Sequence, residues 1–144
     1  MRMITIFFIL IVQQTAFAQT GIVGKWKTID DETGAPKSIV DIFEKNGKYF
    51  GRVVKLFRKP NEDQDPVCKE CDSEDPRFNK KIIGMEILKD MEKEKEDDEY
   101  EDGSILDPNN GKVYRCKIWI DGQDLKLRGY LGPFYRTQTW KKAE

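Results

Sequence analysis

Short runs that alternate apolar and polar residues follow one another along this chain, and several stop at a residue pair suited to a tight turn. Val113 to Ile120 is the cleanest run. Tyr114, Cys116, Ile118 and Ile120 fall on one side, and Val113, Arg115, Lys117 and Trp119 on the other. A period of two belongs to an extended strand, where successive side chains point to opposite faces. Leu125 to Leu131 repeats it, with Leu125, Leu127, Gly129 and Leu131 against Lys126, Arg128 and Tyr130. Asn46-Gly47 and Asp121-Gly122 follow such runs and read as hairpin turns, because these residues tolerate positive φ. Further strand-like runs cover 22–29, 38–43, 49–57, 81–88, 104–106 and 134–142, which makes about eight strands. No segment carries a convincing helical period. The expected fold class is all-β, and repeated short strands with tight turns point to an antiparallel barrel or sandwich. From 58 to 80 the chain holds Pro60, Pro66 and Pro76 among many charges, so a long loop is expected there.

The first 18 residues read as an address. Arg2 supplies a positive start, Ile4 to Val12 is an apolar run, and Ala16-Phe17-Ala18 is a cleavage sequence of small residues. That order is a secretory signal peptide. The apolar run is shorter than the ~20 residues that cross a bilayer as a helix. Residues 19–144 are then expected to form a single β-barrel domain, exported to the periplasm or medium, soluble and not membrane-spanning. The whole chain of 144 residues holds 25 Lys or Arg, 26 Asp or Glu and no His, for a net charge of −1. Without histidine there is no Ser-His-Asp triad, His metal ligand or His proton shuttle. A balanced charge gives no reason to expect nucleic acid as a partner.

The stretch Lys89 to Asp102 is nearly all charge, with only Met91 and Tyr100 apolar or aromatic. Such a run reads as a solvated loop, a hairpin tip or a frayed helix. Calcium is conceivable there, but no ligand register like that of an EF-hand loop is present. Cys68-Lys69-Glu70-Cys71 lies in the proline-rich loop. In an oxidising compartment a Cys68–Cys71 disulfide is the first expectation. Pairing of Cys116 with either, a redox pair, or a site of three thiolates remain alternatives. Neither a metal nor a cofactor is expected.

Gly24-Lys25-Trp26 opens the first strand, and Arg136 and Trp140 sit in the last. This set resembles the calycins: lipocalins, fatty-acid-binding proteins and avidin-like barrels. The resemblance implies an up-and-down barrel of about eight strands with Trp26 across its floor and Arg136 as the basic cover over the indole, by a cation–π contact. Gly24, Trp26, Arg136 and Trp140 are then barrel-closure residues. A wider pattern covers Gly24/Trp26, Thr33-Gly34, Cys68/Cys71, Gly103 to Cys116, Leu125 to Gly132 and Arg136 to Trp140. In that order it is similar to the bacterial domain-of-unknown-function family 2147. Asp102-Gly103 stands where that pattern has a Gly-Gly pair, and the charged stretch before it is long. The family implies a signal peptide and a lipocalin-like barrel, and no activity.

Tyr114, Arg128 and Tyr130 are the candidate ligand-binding residues, since an Arg fork beside two phenols could anchor an anionic group. Asp107 reads as the cap of the turn at Pro108. Ser38, Ser73 and Ser104 have no base near them in sequence, so no catalytic residues are expected and the chain reads as a non-enzyme. The expected function is binding of a small apolar or amphipathic ligand inside the barrel. The alternative is a packed barrel that serves structure or envelope interactions without a ligand.

Overall fold

The computed structural model describes residues 21–143, and the expected signal peptide lies outside them. Eight antiparallel strands form one closed barrel in sequence order. They are β1 (Gly24–Ile29), β2 (Pro36–Lys45), β3 (Lys48–Leu56), β4 (Glu86–Lys93), β5 (Glu99–Leu106), β6 (Val113–Asp121), β7 (Asp124–Leu131) and β8 (Phe134–Lys142). β8 returns to β1, with Trp26 opposite Lys142 and Thr28 opposite Trp140. This is the expected up-and-down barrel.

The turn chemistry is the expected one. Asn46 and Gly47 have φ of 53° and 78° and join β2 to β3, as a two-residue turn with both residues left-handed requires. Gly122, at φ 63°, turns β6 into β7 between the paired residues Asp121 and Asp124.

Two strands sit elsewhere than expected. The run 81–88 is a strand only from Glu86 onward, because Gly84 turns the chain at φ 95° and Lys81 makes only an isolated bridge to Val67. The strand expected at 104–106 starts at Glu99. The charged stretch is therefore two strand arms around a tip at 94–98. Its two apolar side chains, Met91 and Tyr100, are 0% and 4% exposed and face the interior. Asp90 and Asp102 take φ of 57° and 61°, which short polar side chains tolerate, and the β5–β6 register shifts between Tyr100 and Gly103. Outside, Lys117 pairs with both Glu99 and Glu101, which raises its pKa to about 12.

The segment from Phe57 to Met85 takes over where β3 and β4 stop pairing. Val53 donates its N–H to the Met85 carbonyl at 3.0 Å, and Gly84 donates to the Val53 carbonyl at 2.7 Å. Cys68 and Cys71 form a disulfide, while Cys116 is free and buried. Burial pushes the Cys116 thiol up to about 12, so the nucleophilic thiolate is scarce at neutral pH. The disulfide loop rests on the β5–β6 turn: a side chain at Gly111 would collide with the Glu70 carbonyl. Arg77 ties the other half down, donating from Nη2 to Asp75 at 2.8 Å and from Nη1 to the Glu86 carbonyl at 3.1 Å. The hydrogen bonds from Arg77 hold the Asp75 carboxyl down at about 2.

A candidate ligand cavity at the open end of the barrel

The two ends of the barrel differ. At one end the chain before β1 folds across the opening. Gly24, at φ 133°, allows the bend, and Ile22 is fully buried. Trp26 Nε1 donates to the Ile22 carbonyl at 2.8 Å, so the indole N–H is satisfied inside the plug. Tyr49 and Tyr100 close the same end edge to face, with ring centroids 4.9 Å apart, and burial raises the pKa of both phenols.

At the other end is a cavity of about 660 Å³. Trp140, 1% exposed, lies at its base, next in the ladder to the plug. Val53, Ile87, Ile105, Leu106 and Leu127 add apolar walls. Polar and charged residues of the connections, among them Asp30, Lys37, Arg58, Glu62 and Asp107, ring the mouth, and Thr28, Ser38 and Gln138 add polar groups on the strands below them. Thr28 and Ser38 face each other with oxygens 2.7 Å apart, and the Ser38 N–H donates to Thr28 Oγ1 at 3.1 Å. Trp140 Nε1 donates to Gln138 Oε1 at 3.2 Å, which leaves the Gln138 amide nitrogen for the cavity. Tyr114 stands at the mouth, accepting from Asn110 Nδ2 at 3.1 Å.

The structure divides the expected binding trio. Tyr114 faces inward and lines the cavity. Arg128 and Tyr130 do not, and this corrects the expectation. Leu125 and Leu127 are buried, so the alternation of β7 puts Arg128 and Tyr130 on the outer wall. Arg128 lies there between Trp119 and Tyr135, at 5.2 and 4.6 Å from the ring centroids, and donates from Nε to Thr137 at 2.9 Å. Tyr130 neighbours Tyr135.

The cover over Trp26 is a second correction. Lys142 Nζ lies 6.0 Å from that ring, and Arg136 does not. The β1–β8 register sets Trp26 opposite Lys142, which leaves Arg136 about 20 Å further along the strand. Arg136 instead stands at the cavity mouth and pairs with Asp31 at 2.7 Å. Asp107 behaves as read, accepting the Asn109 N–H at 2.9 Å in its turn. Sequence reasoning missed Thr28, Ser38 and Gln138. The only signal was their parity with Trp26, Val40 and Trp140. Among the described residues no cluster of His, Cys, Asp and Glu could hold a metal ion.

Comparison with known proteins agrees with this geometry. A solved structure described as "Protein HP1028 from the human pathogen Helicobacter pylori belongs to the lipocalin family" superposes with a TM-score of 0.70. It is 22% identical, and the match covers 87% of this chain and 84% of that one. At that identity the likeness concerns the fold: a lipocalin-like barrel. No curated protein matches. The model of a family described as "uncharacterized protein conserved in bacteria" (DUF2147) matches residues 24–142. With that match running from the first strand to the last, the chain belongs to the DUF2147 family.

Proposed function

We propose that this protein is an exported binding protein for a small amphipathic ligand, held in the barrel with its apolar part toward Trp140 and its polar group at the mouth. The cavity carries this reading. Its size falls within the ~300–1,000 Å³ of small-molecule sites, and its apolar strand walls below a polar and charged rim suit an amphipathic ligand. A fully packed barrel would leave no such hollow. Binding is favoured over catalysis because Thr28 and Ser38 hydrogen-bond to one another and to backbone rather than to an acid or a base. Export is supported by the leader-like order of residues 1–18 and by the Cys68–Cys71 disulfide, which suits an oxidising compartment.

The test is a fluorescence titration of the purified protein with N-phenyl-1-naphthylamine, followed by displacement with medium-chain fatty acids. Saturable binding and displacement are expected. Gly129→Phe serves as the blocked control. Gly129 lines the cavity, and an added Cβ would make only ordinary contact with Tyr114, at 3.6 Å. This variant should keep its melting temperature and lose the probe. No saturable binding, or equal binding by a folded Gly129→Phe variant, contradicts the reading.

A further inference from the structure

Four connections ring the cavity mouth, and three of them are charged. The β1–β2 turn carries Asp30, Asp31 and Glu32. The segment after β3 carries Arg58, Lys59 and Glu62, and the β5–β6 turn carries Asp107 and Lys112. The β7–β8 hairpin is the exception. Tyr130-Leu131-Gly132-Pro133-Phe134-Tyr135 holds no charge. Leu131 is 54% exposed, Phe134 75% and Tyr135 63%, so apolar surface stands in water where the barrel has a free choice of polar residues. Exposed apolar groups clustered in this way mark a contact surface.

The shape and the charge around this lip specify the contact. The lip is a narrow tip, with Leu131 opposite Phe134 across a two-residue turn. Leu131 and Phe134 also line the cavity, so apolar surface runs from the tip into the hollow. Tyr130 and Tyr135 are on the outer wall, and arginines accompany them: Arg115 is opposite Tyr130 in the ladder, and Arg128 lies over the Tyr135 ring. A projecting apolar tip with tyrosines and two arginines at its base on the outer wall matches the layering of an anionic membrane surface. The barrel wall beside the lip is also incomplete. Pairing of β8 with β1 ends at Trp140, and among the described residues no strand pairs with the Phe134–Thr139 edge on that side. The Arg136–Asp31 ion pair spans this gap.

We infer that the β7–β8 lip docks on an anionic lipid surface and that the amphipathic ligand passes between that surface and the cavity along Leu131 and Phe134. This rests on the ligand-binding reading above and adds where the ligand comes from.

The test uses the purified protein and vesicles of phosphatidylcholine with or without phosphatidylglycerol, read by co-sedimentation. Binding to the anionic vesicles is expected, falling several-fold without phosphatidylglycerol or at high salt. The Leu131→Ser/Phe134→Ser variant should lose roughly tenfold or more in vesicle affinity. Val23→Ser, which changes an equally exposed apolar residue just before β1, should lose none. The inference is overturned by absence of vesicle binding, by equal binding of the lip variant, or by equal loss in Val23→Ser. It is also overturned if light scattering shows a dimer that the lip variant splits, because the lip is then a contact between copies. The soluble-probe titration separates the two claims. Probe uptake without vesicle binding refutes the lip and leaves the cavity, and absence of probe uptake refutes the cavity reading itself.

Discussion

The two ends of this barrel are made by the same strands, yet one is plugged and the other is hollow. At the plugged end large side chains meet across the axis: Ile22, Trp26, Met91 and Tyr100 are all at most 4% exposed. At the open end several inward positions carry smaller or polar groups, among them Thr28, Ser38, Gly129 and Gln138, beside the apolar Ile87, Leu106 and Leu127. Tight interiors stabilise through dispersion and removal of apolar area from water. A hollow forgoes those contacts, and its polar groups need partners of their own. The difference separates tasks along one axis, with stability in the plug and recognition at the mouth.

Substitutions should reveal this gradient. Trp26→Ala empties the plug and strands the Ile22 carbonyl, so it should cost about 3–5 kcal/mol in urea denaturation. Phe134→Ala at the mouth should change stability by no more than about 0.5 kcal/mol. Similar losses at both positions would erase the distinction.

The loop clamp between the ends should show in acid. The Asp75 carboxyl sits lower in the folded protein, at about 2, than its ordinary value of 3.8. A depressed carboxylate pKa adds stability at pH above the ordinary value, and that stability is lost as pH falls through the folded value. Thermal stability should therefore drop between about pH 4 and pH 2, and Asp75→Asn should flatten that drop. It should also cost about 1–3 kcal/mol at neutral pH by removing one of the two Asp75 acceptors, and the opposite charge, from the largely buried Arg77 fork. An unchanged acid profile in Asp75→Asn would remove the clamp from the account.

The smallest effect belongs to the ion pair across the mouth. Arg136 is 67% exposed, so Asp31→Asn should cost at most about 1 kcal/mol while it alters the rate of probe uptake. A large loss of stability would mean that the gap between β8 and β1 is structural rather than a passage.

Much of the architecture is legible in the residues themselves. Period-two runs and Asn-Gly or Asp-Gly pairs place six of the eight strands, because those signals are local. The hairpin at 86–106 is harder to read. Its outer faces are almost wholly charged, and only Met91 and Tyr100 mark the inner face. Ile83 extends an apparent alternation that Gly84 breaks. The partner of Trp26 is not legible at all, because the β1–β8 register joins residues more than a hundred positions apart. The outward direction of Arg128 and Tyr130 follows from the parity of Leu127 once that residue is known to be inside. The hollow is legible only afterwards, since it depends on which small residues face one another.

The most direct test of the division between plug and hollow uses the three tryptophans. Trp140 lines the cavity, Trp26 belongs to the plug, and Trp119 stands beside Arg128 on the outer wall. Titration with a brominated fatty acid, which quenches indoles in contact with it, should give saturable loss of fluorescence. That loss should disappear in Trp140→Phe and persist in Trp119→Phe. Quenching that survives Trp140→Phe unchanged, or none in the unaltered protein, would contradict the account.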